Sequence, residues 1–528
     1  MLDNDLFVRS VALIKKWGGA RLSSGLTLSD ALTVGKVSLW EVVSPFLALY
    51  RFPEFILQKG SGRRQPLRGR MAEAVRPYRG MLGRVRDDFC FAVRRSADDC
   101  LRWNELSPYV LFLSYWPLFY RETFRAAAEY LADNNIVSTV ALFGNETFPE
   151  KPSRPLIHFH STLKHAIPSV IDRTKEYQSH LRRIKRELLR EFRQIVEPDL
   201  PGEWGSVKRE LDWLFWSLFP RLARDVAIAE HIMNDHRPDM VVSPDDSDRA
   251  RIYTILAHAA GIPSLIVQQG LLNEKAVEWR FCTADRIAAI GPSSVRELCA
   301  HGLDAGRIEL TGCPRYDVLC RSSAEEREGI RKSMGIRAES RMVLLASQPC
   351  VYGAFSSPSA RAKMLQAMGR TAASLESVHL VVKAHPTEDI RELQRLIGHQ
   401  GQVLYVEPSA DIQKLIVACD VFVTFFSTSA LQALIASKPV VTLCFQGSGV
   451  KGFYVGNEAL FAARSESELA AHINALAGSE RNRVLARRED ARKKLVYDLT
   501  YLPDGQASAR LAGLIKKSGI DKSKGFRV

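Results

Sequence analysis

Between residues 108 and 445 the chain repeats one pattern: a short apolar run rich in β-branched residues, a stretch of helical length, then another apolar run. Parallel strands cannot be joined by a tight turn, and a helix supplies the crossover they need. Such alternation therefore predicts parallel sheets covered on both faces. The first set of runs is Tyr109-Val110-Leu111-Phe112-Leu113, 137–143, Met240-Val241-Val242, 264–267, 286–290 and 308–311. Helices are expected at 120–133 and 249–260, the latter stopped by Gly261-Ile262-Pro263. Charged helical sequence at 324–339 separates this set from a second at 342–346, 378–383, 403–406, 421–425 and 440–443. The expected organisation is α/β, with two successive doubly wound units. Residues 1–107 form a basic, mainly helical N-terminal extension, 108–335 a first domain, 336–500 a second, and 501–528 a terminal helix with a basic tail.

The 528 residues are 46% apolar and 25% charged, which suits a protein with more than one core. No apolar run approaches the ~18 residues of a membrane span. The most apolar early stretch, 37–57, is broken by Glu41, Pro45, Arg51, Pro53 and Glu54. The opening Met1-Leu2-Asp3-Asn4-Asp5 lacks the basic-then-apolar layout of a signal peptide, so a cytoplasmic chain is expected. Nine cysteines without a CxxC spacing argue against a disulfide framework and a structural zinc site.

A net charge of +14 calls for an explanation. It concentrates on Arg63, Arg64, Arg68, Arg70, Arg76, Arg79 and Arg84, on Arg182, Arg183, Lys185, Arg186, Arg190 and Arg193, and on the tail Lys516, Lys517, Lys522, Lys524 and Arg527. No zinc-finger or RNA-recognition signature accompanies it, so nucleic acid is not the expected partner. Anionic lipid on the inner face of the cytoplasmic membrane, a polyanionic substrate, or a plain solvated surface each accommodates it. The apolar stripe of the basic 174–196 segment reads as core-packed.

Two motifs at strand ends carry chemistry. An apolar strand beginning after Asp420 runs into Ser427-Thr428-Ser429, which opens an Ala/Leu-rich helix ending before Pro439. Hydroxyls and free amides at a helix start make an anion site, and the same residues also serve as ordinary N-caps. Lys383 and His385, in Val381-Val382-Lys383-Ala384-His385-Pro386, fall at the C-terminal end of a strand, where ligands bind in open α/β sheets.

The order strand, Lys-x-His-Pro, strand, strand, Ser-Thr-Ser-Ala-Leu, helix, Lys-Pro-Val-Val resembles the C-terminal domain of bacterial surface-carbohydrate glycosyltransferases of GT-B fold. It is similar to capsule and lipopolysaccharide enzymes using CMP-activated sugars (Kdo transferases, polysialyltransferases, sialyltransferases) and to CDP-glycerol glycerophosphotransferases. Arg237-Pro238-Asp239-Met240-Val241-Val242, Gln268-Gln269-Gly270, Gly312-Cys313-Pro314-Arg315-Tyr316-Asp317 and Asp504-Gly505-Gln506-Ala507-Ser508 extend the likeness over about 108–515. The resemblance implies two Rossmann-like domains facing a cleft, and an inverting, metal-independent transfer from a CMP- or CDP-linked donor. The acceptor it implies is a surface polysaccharide or lipid-linked glycan. It also implies that His385, Ser427, Thr428 and Ser429 contact the donor phosphate, that Lys383 neutralises it, and that Pro386 and Gln432 belong to the donor site. Gln268, Gln269, Gly270, Arg315, Ser347 and Gln348 are expected to line the cleft. No cofactor and no metal ligands are expected. By the same resemblance the base that takes the acceptor proton is expected to be Asp245 or Asp246 in Ser243-Pro244-Asp245-Asp246-Ser247-Asp248-Arg249, with Glu146 in reserve. Asp246 or Ser247 also reads as a helix cap. Three positions depart from the family pattern: Ser247 replaces a glycine, Gln269 a histidine and Gln432 a glutamate. Two alternatives share the fold, a non-hydrolysing UDP-sugar 2-epimerase and an inactive nucleotide- or glycan-binding relative.

Overall fold

The computed structural model describes residues 4–51, 108–144, 148–272, 276–350, 355, 357–375, 378–399, 402–445 and 454–520. The arginine cluster at 63–84, Glu146, and the tail residues Lys522, Lys524 and Arg527 lie outside them. The chain divides into two compact units, Met1–Pro314 with Ser508–Val528, and Arg315–Ala507.

The first unit opens with a two-stranded antiparallel ribbon, β1 (Thr33–Val34) and β2 (Val37–Ser38), set between the Asn4–Gly18 and Leu39–Phe46 helices. Its main sheet holds β3 (Tyr109–Ser114), β4 (Val137–Leu142), β5 (Ile157–Ser161), β6 (Met240–Ser243), β7 (Ser264–Val267), β8 (Arg286–Ala289) and β9 (Ile308–Leu310). All pair in parallel, in the order β5-β4-β3-β6-β7-β8-β9. Successive strand residues face opposite sides. Leu111 and Leu113 accordingly join one apolar core, while Val110 and Phe112 join another with Phe124, Leu131 and Leu511. The sheet is covered on both faces, as a doubly wound unit requires.

The N-terminal segment is built into the first of these cores. The rings of Trp17 and Trp40 stand edge-on to Phe192 of the Pro168–Val196 helix, at 5.6 and 5.8 Å. Trp17 Nε1 donates to Asp199 Oδ2 at 2.9 Å. Gly35 turns the β1–β2 ribbon at φ +56°, and a Cβ there would strike Glu230 and Tyr177. That close approach lets Lys36 N and Tyr177 Oη share the Glu230 carboxylate at 3.1 and 2.6 Å. Residues 4–51 are thus part of a packed domain rather than an appended extension.

The second unit holds β10 (Arg341–Ala346), β11 (Val378–Lys383), β12 (Val403–Val406), β13 (Val421–Thr424), β14 (Val440–Leu443) and β15 (Phe461–Ala463). The sheet is parallel throughout, in the order β12-β11-β10-β13-β14-β15. In both units the order reverses after the first three strands, which is Rossmann-like topology, and ligands in such sheets bind where the order reverses. That point falls between β10 and β13 here, and between β3 and β6 in the first unit.

Two features differ from expectation. The border falls after Pro314 rather than after 335, because the Ala324–Ser333 helix is anchored on the second unit. Arg327 and Arg331 donate to the two oxygens of Asp420 at 2.7 and 2.9 Å, and Met342 N donates to the same carboxylate at 2.8 Å. Residues from 508 onward return to the first unit, where Leu511, Ala512, Leu514 and Ile515 pack with Val110 and Phe112. No helix among the described residues is long and apolar enough to cross a membrane.

Candidate functional site

In the second unit the ends of β10, β11 and β13 are joined by one buried ion pair. Arg361 lies in the first turn of the Pro358–Ala373 helix, which Ser357 caps through Ala360 N. Its guanidinium, 4% exposed, donates to Gln348 O at 2.8 Å, to Glu392 Oε1 at 2.9 Å and to Glu388 Oε1. Glu388, 3% exposed, also accepts from Ser347 Oγ at 2.9 Å and His385 N at 2.7 Å. Gln348 Oε1 in turn accepts from Phe426 N at 2.8 Å, which bridges the ends of β10 and β13 across the reversal point. Ser347 and Gln348 therefore hold the rim in shape through these bonds.

His385 is exposed at the end of β11. Its Nδ1 meets Thr387 N at 3.2 Å and Thr387 Oγ1 at 2.9 Å. An amide can only donate, so Nδ1 carries the lone pair and the ring proton resides on Nε2. Nε2 has no hydrogen-bond partner among the described residues, which leaves a donor for an anion. Pro386 is exposed beside it.

Lys383 is placed otherwise than expected. Its ammonium donates to Ala384 O at 3.2 Å and Pro408 O at 2.9 Å, so it ties β11 to the segment after β12 instead of standing free for a phosphate. Burial pushes its pKa below the ordinary lysine value.

Ser427 and Ser429 close a local turn after β13. Ser427 Oγ accepts from Ser429 N at 3.2 Å and donates to Ser429 Oγ at 3.1 Å. Thr428 is exposed and its hydroxyl makes no capping bond. Gln432, on the Ser429–Ile435 helix, is 8% exposed, and its Oε1 has no hydrogen-bond partner among the described residues. A buried acceptor without a donor costs about 1–3 kcal/mol, which a ligand hydroxyl or amine recovers. Arg315 begins this unit, and its carbonyl accepts from Gln413 Nε2 at 3.0 Å.

The reversal point of the first unit carries the carboxylates. Tyr115, just past β3, donates from Oη to Asp245 Oδ1 at 2.7 Å and also bonds Ser247 Oγ. Ser247 N donates to the same Oδ1 at 3.0 Å. Burial raises the Asp245 pKa, while the Ser247 amide and the Tyr115 hydroxyl restrain the rise. Its Oδ2 has no partner among the described residues, so it can receive a proton. Asp246 instead pairs with Arg251, and the two side chains are 8% and 3% exposed. Ser247 is the N-cap residue of the Asp248–Ala259 helix without a side-chain cap bond. Trp116 and Leu118, next to Tyr115, are 52% and 49% exposed.

Gln268 and Gln269 are consumed by the fold. Gln268 donates to Gly270 O at 2.7 Å and Ser294 Oγ at 2.8 Å, and accepts from Ile290 N at 3.0 Å. Gln269 donates to Val267 O at 2.8 Å and accepts from Thr123 Oγ1 at 3.1 Å. Both shape the end of β7, with Gly270 exposed after them. Sequence reasoning missed Tyr115, Arg361 and Glu388. Only Glu388 left a local signal, three residues after His385 in a turn where its carboxylate caps the His385 amide.

Residues 295–517, less than half of the chain, match the family model described as CDP-Glycerol:Poly(glycerophosphate) glycerophosphotransferase. Among curated proteins none matches the sequence. Solved structures that align include a variant of the wall teichoic acid polymerase TagF soaked with CDPG, at 12% identity over 88% of this chain and 100% of that one, TM-score 0.47. The UDP-GlcNAc 2-epimerase from Neisseria meningitidis bound to UDP-GlcNAc aligns at 13% identity over 78% and 100%, TM-score 0.45. HepE of Anabaena in complex with UDP and glucose aligns at 16% identity over 77% and 100%, TM-score 0.44.

Proposed function

We propose that the chain is an inverting group transferase that moves a sugar or polyol phosphate from a cytidine-nucleotide-linked donor to a hydroxyl of a surface glycan or its lipid-linked precursor. The observation that carries this is the donor set at the end of the second sheet. His385 Nε2–H and the exposed Thr428 hydroxyl supply hydrogen bonds, and Gln432 Oε1 supplies a buried acceptor. Fixed donors of this kind stabilise the negative charge that develops on a departing nucleotide. The cytidine assignment draws on the matched family model, whose description names CDP-glycerol.

In this reading the acceptor hydroxyl bonds to the transferred group as the bond to the nucleotide phosphate breaks. The hydroxyl proton passes to Asp245 Oδ2, and the electron pair leaves on the nucleotide. Asp245 suits the role better than Asp246, whose carboxylate is committed to Arg251. A carboxyl raised toward the working pH is the more effective base.

The outward side of the Pro168–Val196 helix supports contact with anionic lipid. Arg182, Arg183, Arg186, Arg190 and Arg193 are exposed on it. Lys185 lies over the Phe215 ring at 5.9 Å, one residue from Trp216, which is 82% exposed. Basic side chains next to an exposed tryptophan match the charge and polarity of a headgroup layer.

Calorimetric titration with CDP, CMP, UDP and GDP tests the donor. CDP or CMP is expected to bind best, and His385→Ala to weaken that binding at least tenfold with thermal unfolding unchanged. Preference for UDP would overturn the cytidine assignment, and undiminished binding would remove His385 from the site. Cosedimentation with phosphatidylglycerol against phosphatidylcholine vesicles tests the lipid contact, with Arg182→Glu/Arg186→Glu expected to release the chain.

A further inference from the structure

Past the end of β3 the chain stops burying its apolar side chains and displays them. Every residue of β3 is buried, whereas Trp116 and Leu118 are 52% and 49% exposed and no residue of the Pro117–Phe119 turn is buried. The change falls at the C-terminal end of a strand at the reversal point, where open α/β sheets bind ligands.

An indole left in water forgoes the stabilisation of burial, yet the backbone fixes it there. Trp116 O accepts from Ser114 Oγ at 3.0 Å and from Phe119 N at 3.1 Å. Its ring centre lies 5.7 Å from that of Tyr115, and 6.3 Å from that of Phe119, which it meets edge-on. A side chain held in this way loses little freedom when something stacks on it. Tyr115 is also the residue that donates to Asp245 Oδ1 at 2.7 Å. One tyrosine therefore touches both the indole and the carboxylate, and sets the two within the span of a short oligosaccharide.

Charge selects the occupant. Burial, and then the charges of Asp245 and Asp248, hold the proton on Tyr115, so the local field is negative. Arg249 and Arg251, on the same helix as Asp248, are committed to Asp225 and Asp246, and Arg121 lies 3.9 Å from Glu150. Such a field disfavours the phosphates of a polyol phosphate chain and anionic headgroups alike. An uncharged pyranose meets no such repulsion. Its hydroxyls reach the carboxylate while the face that carries its axial C–H groups packs on the negative face of the indole.

We propose that Trp116, with Leu118 two residues on, is an acceptor platform that stacks on a terminal uncharged pyranose and holds one of its hydroxyls toward Asp245. The inference rests on the reading of Asp245 as the base, and adds to it the class of acceptor: a neutral sugar end instead of a polyol phosphate.

Full-length protein is mixed with the methyl glycosides of glucose, galactose and N-acetylglucosamine, or with glycerol 3-phosphate, and binding is read by saturation-transfer NMR, which marks the ligand protons pressed against protein. At least one glycoside is expected to bind through the C–H protons of one face. Its affinity should fall at least tenfold in Trp116→Ala, stay within threefold in Trp116→Tyr, and be unchanged in Tyr130→Ala, a partly exposed aromatic elsewhere on the unit. Thermal unfolding should be the same in all. CDP titration of the same samples separates the two readings: sugar bound through Trp116 without CDP binding supports the platform and removes the cytidine donor. Glycoside binding that is absent, or indifferent to Trp116→Ala, overturns the platform whether or not CDP binds. Tighter binding of glycerol 3-phosphate than of every glycoside overturns it too, as does a Trp116→Ala effect confined to phosphatidylglycerol vesicles.

Discussion

Tyr115 Oη donates to Asp245 Oδ1 at 2.7 Å, joining the ends of β3 and β6 where the first sheet reverses its strand order. The bond favours the ionised carboxylate against the burial that disfavours it. Tyr115→Phe should therefore raise the Asp245 pKa further. A base works when deprotonated, so the acidic limb of the kcat/KM profile is expected to move to higher pH. An unmoved limb would remove Asp245 from the proton transfer.

The neighbouring carboxylates should respond differently to amidation. The raised pKa of Asp245 means that its contribution to stability is present below the unfolded value of about 3.9 and is lost as pH rises through the folded value. At pH 7 Asp245→Asn should then keep or gain stability while activity falls about 10²–10⁴-fold. Asp246→Asn strands the buried Arg251 guanidinium and should cost about 3–5 kcal/mol. Urea denaturation beside initial rates separates the two.

Much of this architecture can be read from residue order alone. Where an apolar run is continuous, as at 378–383, 403–406 and 440–443, the strand bounds coincide with expectation. β5 escaped because Ile-His-Phe-His-Ser alternates imidazoles with apolar residues, and β15 because Phe-Ala-Ala is too short to register. The N-terminal segment was illegible for another reason: Trp17 and Trp40 find their partner in Phe192, far along the chain. The exposed His385 and Thr428 were legible in their motifs. Arg361 was not, since its meaning lies in Gln348, Glu388 and Glu392, brought near only by the sheet.

The Arg361–Glu388 pair offers a coupling measurement. Arg361→Met leaves a buried carboxylate uncompensated and should cost about 3–5 kcal/mol. Adding Glu388→Gln should recover part of that loss, with an interaction energy of about 0.5–3 kcal/mol by denaturation. Additive losses would show that the pair does not act as a unit.

Asp420 predicts a pH signature in the second unit. Burial pushes its pKa up, but the Met342 amide together with Arg327 and Arg331 outweighs it and leaves the value depressed. Stability from a depressed carboxyl is present above the unfolded value of about 3.9 and is lost as pH falls through the folded one. The difference in unfolding free energy between wild type and Asp420→Asn should be widest near neutrality and narrow below about pH 4. A difference constant with pH would locate the effect in packing instead of charge.

The second unit begins at Arg315 and ends at Ala507, and Asp317 Oδ1 accepts from Ala507 N at 3.0 Å. Arg321 reinforces this by donating to Gly505 O. Entry and exit are stapled together, so the unit is a cassette spliced into a host fold whose Ala507–Ile515 helix is made only after the cassette has been translated. A ribosome therefore completes the guest sheet before the host core receives Leu511 and Ile515.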